Sequence, residues 1–334
     1  MSRLLRVGVA AAAIAMSGCA IHPLPEDFSG VPTTTIVKQI RCETRQAVIQ
    51  LALGWLTDPE NLDLGRVDRR SRDVGLQFAR QQRPIQQFHP KLFSGHAKEV
   101  VQLFYETGVA YNFDLEMTEV NNLNTEINLL RALTGSTFTL GIKARADRSR
   151  KNERFFTITD TFSSLVRLRD NYCSGASIGQ DYNHHVPPNY AYPITGQIGV
   201  RGMIMDFINM TIFESLAGPK DAPGKPPTLV DALEFQTIIG GSLAPKIVFA
   251  PVGTRLQVSD ASLFGEVLRT DLHKITMGLA VDEGARPALA AVRSYPFAAT
   301  LISARPTTSA EARAAEAVNQ ALTLKLFRPT LVVP

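Results

Sequence analysis

Tyr111-Asn112-Phe113-Asp114-Leu115-Glu116-Met117-Thr118 alternates large apolar and polar side chains without a break. A period of two sends Tyr111, Phe113, Leu115 and Met117 to one face and Asn112, Asp114, Glu116 and Thr118 to the other, as a half-buried β-strand requires. One face belongs to a core; the other is wet or lines a polar site. The same rhythm returns in Thr137 to Ala144 through Phe138, Leu140 and Ile142, and again from Arg154 to Phe162. These two are expected to form a hairpin joined by the polar run 146–153. Its neighbourhood carries Lys143, Arg145, Arg148, Arg150, Lys151 and Arg154, a cluster that reads as a solvated tip or, less simply, as a contact for phosphate headgroups.

Helical periodicity surrounds this strand. Ile36, Ile40, Ala47, Val48, Leu51 and Trp55 recur at helical spacing over about 35–56, Ala97, Val100, Val101 and Phe104 share a face over 94–106, and 196–216 carries a broad stripe from Val200 to Phe213. A helical turn or short helix is expected over 163–171. The arginine-rich 58–87 has little apolar rhythm and is read as a solvated loop with a short strand near 74–78. Further strands are expected at 231–239, 246–250, 255–259, 268–281 and 290–303, and a short Ala-rich helix from Ser309. The fold class is α+β, with mainly antiparallel sheets packed against several helices. The chain divides into a tether over 19–32, an α+β unit over 33–192 and a second over 193–334, the latter interrupted by the Pro/Gly-rich linker 217–227. The halves share an order of elements, which leaves a duplication of two similar units open. A transmembrane β-barrel is the structural rival, since alternating strands and outer-membrane sorting suit it, but it is disfavoured because long helices interrupt the strands and the last residue is Pro334 instead of an aromatic.

Bulk properties exclude several classes. With 45% hydrophobic and 20% charged residues among 334, the chain is neither disordered nor strongly basic. The N-terminus has its own logic. Arg3 and Arg6 precede the apolar run Val7 to Met16, and Met16-Ser17-Gly18 places small residues before Cys19. Ten apolar residues are too few to span a bilayer. The segment resembles the signal peptide and lipobox of bacterial lipoproteins, with Met16 standing where that pattern prefers Leu. The resemblance implies cleavage after residue 18, diacylglycerol and an N-acyl chain such as palmitate on Cys19, and a protein anchored to the membrane by lipid. Ala20, where an Asp would favour the inner membrane, implies the periplasmic side of the outer membrane. Losing Arg3 and Arg6 from 35 basic against 31 acidic residues leaves an excess of two, too small to call for nucleic acid.

In such an oxidising compartment Cys42 and Cys173 become candidates for a disulfide, with two buried free thiols as the alternative. Gly175-Ala176-Ser177-Ile178-Gly179 matches a nucleophile-elbow pattern, which would make Ser177 the nucleophile of a serine hydrolase with His273 or His185 as its base, but the required strand before it and helix after it are missing. Asp181, His184 and His185 lack metal-ligand geometry and are read as hydrogen-bonding loop residues. Arg269, Asp271 and His273 share one face of a strand that continues as Ile275, Met277 and Leu279, so they are expected to form a buried polar network or to contact a ligand or partner. No cofactor or metal is called for. The reading is a non-catalytic lipid-anchored envelope protein that binds a partner or ligand, with a structural subunit of an envelope complex as a further alternative.

Overall fold

The computed structural model describes residues 23–173, 189–214, 216–218, 225–249, 255–294 and the single positions 313, 317, 318 and 320. Its main helices are α1 (Thr33–Thr57), α2 (Arg69–Ala79), α3 (Gly95–Tyr105), α4 (Val200–Ile212) and α5 (Arg286–Ser294). Its strands are β1 (Gly108–Leu133), β2 (Ser136–Thr161), β3 (Thr228–Leu243), β4 (Lys246–Val248) and β5 (Gln257–Ala280). They form one sheet in the order β2-β1-β5-β3, with β4 antiparallel to β5 so that Ile247 lies opposite Ala261. The class is α+β, as the alternating and helical runs predict. Strands from the two halves of the chain pair in this one sheet.

Two compact units emerge, and neither is a continuous half of the chain. One takes its described residues from the N-terminus to Gly30, Leu115–Arg154 and Phe235–His273; the other takes Val31–Asp114, Phe155–Glu234 and the chain from Lys274 onward. A division near residue 193 therefore differs from the observed one. The physical reason is strand length: β1 and β2 have 26 residues each and β5 has 24, so each contributes to both units, whereas ordinary strands of five or six residues end inside one core.

The helical unit is built around α1. Ile36, Ile40, Ala47, Ile49, Leu53 and Leu56 are buried, but so are Gln39, Glu43, Thr44, Arg45 and Gln46. Polar groups buried on a helix enclosed on this many sides need partners within the protein, and Gln39, Glu43 and Arg45 find them at the ends of neighbouring elements. Gln39 Nε2 donates to Thr195 O at 2.8 Å, and Arg45 donates through Nε to Leu165 O and through Nη2 to Leu168 O at 3.1 and 3.2 Å. The Glu43 carboxylate accepts from the backbone N–H of Ile198, Gly199 and Val200 at 2.8–3.0 Å. Burial pushes this carboxyl up and the three N–H groups pull it back. Gly199 adopts φ 88° there, so the first N–H groups of α4 converge on one carboxylate.

Several local expectations are corrected. The region read as a solvated loop with a strand at 74–78 contains α2. Asp68 caps it by accepting from Ser71 N at 3.0 Å, and Ser71, Gly75 and Phe78 face inward at helical spacing. One apolar residue suffices because Phe78 is fully buried among Leu56, Val67, Ile85 and Phe88, while small Gly75 lets the backbone sit against Leu56. Residues 290–294, the described part of the strand expected at 290–303, are helical and belong to α5. The polar run 146–153 is no hairpin tip: it lies within β2, whose partner is β1 through a turn at Thr134-Gly135, with Gly135 at φ 81°. Likewise 255–259 and 268–281 belong largely to one strand, β5.

Candidate functional site

In the other unit the sheet carries its candidate site near where the alternation of β5 changes character. Arg269 is 8% exposed, His273 2% and Asp271 not at all. Arg269 Nε donates to Asp271 Oδ1 at 2.9 Å and its Nη2 to Asp271 Oδ2 at 3.0 Å, a two-pronged pair. Its Nη1 reaches Glu119 Oε1 on β1 at 3.3 Å, and Nη2 also donates to the carbonyl of Leu24 at 2.6 Å. Burial holds the His273 imidazole down to about 4; Asp271 works against this and Arg269 adds to it. His273 is therefore neutral at pH 7.

The residue that the sequence could not connect to this trio is Leu24. The segment at Pro23 and Leu24 is fastened twice, since Asn152 Nδ2 on β2 donates to Pro23 O at 2.9 Å in addition to the Arg269 bond. A short helix follows, Glu26–Ser29, closed by Gly30 at φ 66°. Arg269, Glu119 and Asn152 lie on one face of the sheet, so the buried network serves to clamp the chain at Pro23 and Leu24. Alternation alone places the three residues of β5 together; it carries no information about which distant carbonyl they hold.

Cys42 and Cys173 in the helical unit are disulfide-bonded, with Cα atoms 5.6 Å apart. Beside them Arg41 donates to both oxygens of Asp160 at 2.7 and 2.6 Å and to Tyr172 Oη at 2.7 Å, so its guanidinium stays firmly protonated. An apolar cleft of about 180 Å³ opens among Val48, Ala52, Trp55, Val101, Ile204 and Ile208. It offers room for a small apolar group and no nucleophile. Among the described residues no group of three or more His, Cys, Asp or Glu could hold a metal. Cys19, Ser177, Asp181, His184 and His185 lie outside the described residues.

The charged residues of β2 are partnered along the strand: Lys143 Nζ lies 3.3 Å from Glu126 Oε2, and Lys151 Nζ 2.8 Å from Glu116 Oε2. No helix among the described residues is long and apolar enough to cross a membrane.

Comparison with known proteins adds one finding. The profile of a family described as "Uncharacterised protein y4kA" matches residues 22–294. The chain belongs to this y4kA family. The match takes in the Pro23–Leu24 clamp, all five strands and the Cys42–Cys173 pair. A relative, the uncharacterised protein y4kA of Sinorhizobium fredii (strain NBRC 101917 / NGR234), is 27% identical over 277 residues, covering 83% of each chain. Family membership thus extends across both units, and the chemistry has to be argued from the residues themselves.

Proposed function

We propose that this protein is a lipid-anchored cell-envelope lipoprotein that works by binding and assembly at the periplasmic side of the outer membrane, without covalent chemistry of its own. The observation that carries the reading is the double clamp on Pro23 and Leu24. A charged residue buried on a sheet that is otherwise open to its surroundings is an expensive way to hold the Leu24 carbonyl. It makes sense if the position of the chain directly after Cys19 matters, because acyl chains on Cys19 would then be held at a defined face of the sheet instead of at the end of a loose tether. Four residue steps lead from Cys19 to Pro23, a reach of at most about 14 Å. Residues 23–32, the described part of the stretch 19–32 expected as an extended tether from the sequence, support the reading better as a strap.

The binding role rests on chemistry that is present and chemistry that is lacking among the described residues. Arg269 and Asp271 are used up in mutual pairing and in the clamp, and the apolar cleft supplies shape without a reactive group. The test is direct. Cells given an alkyne-tagged palmitate should incorporate it into the full-length protein, and Cys19→Ser should abolish the label; a wild-type protein that never takes the label would overturn the anchor.

A further inference from the structure

The clamped sheet has two chemically distinct faces and no second layer over either among the described residues. Its register fixes which side chains share a face. Asn122 donates to Glu266 at 3.0 Å, Asn128 to Asp260 at 2.9 Å, and Lys143 lies 3.3 Å from Glu126, so these six line one side. The intervening positions line the other: Leu123 and Ile127 on β1, Phe138, Leu140 and Ile142 on β2, and Leu263 on β5, each between 37% and 50% exposed. Val248, Val258 and Phe264 are apolar exceptions on the polar side, and Arg131 is a charged exception on the apolar side, close to the Thr134-Gly135 turn.

We propose that this ribbon is the wall of a transmembrane β-barrel assembled from several copies of the chain, with lipid acyl chains covering the apolar face and water filling the polar side. Four observations commit the face to a bilayer. First is height. The apolar alternation on β1 runs from Leu123 to Leu133; that is about 33 Å along the strand, or about 25 Å along a membrane normal at the usual tilt near 40°. This matches the hydrocarbon core. Second, the opposite face is polar and internally paired, as a lumen requires. Third, β2 and the β3/β4 side each have a sheet neighbour on one side only among the described residues. Backbone groups in hydrocarbon must be paired, so β2 of one copy has to meet β3/β4 of the next until the ring closes. Four long strands cannot close alone, and a barrel needs about eight or more.

Fourth is the strap. Asn152 holds Pro23, and Arg269, itself paired with Glu119, holds Leu24 on the apolar side, just beyond the band's end away from the turn. Arg148 and Arg150 lie on that same face past the band, at the level expected for headgroup phosphates. The proposal takes the outer-membrane location from the lipoprotein reading, but its evidence, the two-faced ribbon, is independent of whether Cys19 is acylated.

The test uses full-length protein extracted from membranes in detergent and reconstituted into phosphatidylethanolamine–phosphatidylglycerol vesicles loaded with carboxyfluorescein. Wild type should form crosslinkable multimers and release the dye. Ile127→Asp and Leu140→Asp, on the apolar face, should each lower release at least tenfold. Leu140→Ala and, on the polar face, Lys143→Gln should retain it, which separates lost insertion from lost folding. Wild-type protein that carries the palmitate label yet stays monomeric or releases no dye would overturn the barrel and leave the anchor standing. Undiminished release by both Asp variants would overturn it too. Release by unlabelled protein would support the barrel while removing the anchor.

Discussion

Acidification should weaken the clamp through His273, and the size of the effect can be worked out. Its imidazole is held down to about 4 from an ordinary 6.5, mainly by burial, with Asp271 opposing and Arg269 contributing. Between those two values the unfolded chain binds a proton that the folded chain refuses. Stability therefore rises with pH across the window, is complete above about pH 7, and is lost as pH falls from about 6.5 toward 4. The difference of about 2.5 in pKa corresponds to about 3 kcal/mol at most, since each tenfold change in proton affinity is worth about 1.4 kcal/mol. The perturbation is His273→Phe, which keeps a ring of similar bulk and cannot titrate. The assay is the urea midpoint of the full-length protein at several values between pH 4 and pH 7.5, together with the rate at which protease cuts near Pro23. Carboxylates common to both proteins cancel in the comparison. Wild type should lose about 3 kcal/mol more than the variant over this range, with cleavage at the strap rising in parallel. Parallel pH curves for the two proteins would refute the assignment of His273 as a buried neutral group.

Two further outcomes follow from the paired groups. Asp271→Ala leaves the Arg269 guanidinium buried beside Leu24 O and Glu119 without its strongest partner, and should lower stability by about 3 kcal/mol; an unchanged melting temperature would show that the pair is not buried. The Cys42–Cys173 bridge closes a sequence separation of 131, for which chain entropy gives about 5 kcal/mol. Alkylation without reductant should leave both cysteines unmodified, and the double Ser variant should unfold at a urea concentration lower by roughly 2 M.

What could be read in the sequence followed from how each element is stabilised. Tyr111 to Met117 and Ile36 to Trp55 were legible because a single solvent boundary imposes a single period on them. α2 was not, because its burial is concentrated in Phe78 and its other inward positions are Ser71 and Gly75, which carry no apolar signal. The Asp68 cap, three residues before Ser71, was the available clue. β2 was broken in two by its charges. Lys143, Arg145, Asp147 and Lys151 look like a tip, yet all are odd-numbered and share a face; the even positions Phe138 to Ala146 stay apolar, so counting by parity carries the strand as far as Ala146, and Arg148, Arg150 and Asn152 on the even side hide its continuation. For the site, the grouping of Arg269, Asp271 and His273 was visible from period two. Leu24 was not, since a backbone carbonyl has no side-chain signature and sits 245 residues away.

The burial pattern along β1 makes the strongest case that one strand serves two environments. From Gly108 to Phe113 every residue is buried, apolar and polar alike, as in a strand covered on both faces in a water-soluble core. Beyond Met117 none is fully buried, yet alternation persists, with Leu123 and Ile127 on one side and Asn122, Glu126 and Asn128 on the other. An isolated sheet in water gains little by keeping such a pattern, because neither face is removed from solvent and the exposed apolar rows invite aggregation. A sheet bounded by hydrocarbon on one side and water on the other requires it at every second residue. The clamp of Arg269 on Leu24 falls where the pattern changes, between positions that need a protein core and positions that need lipid. A strap there fixes Pro23 and Leu24 at the level where, in the proposed barrel, headgroups would begin.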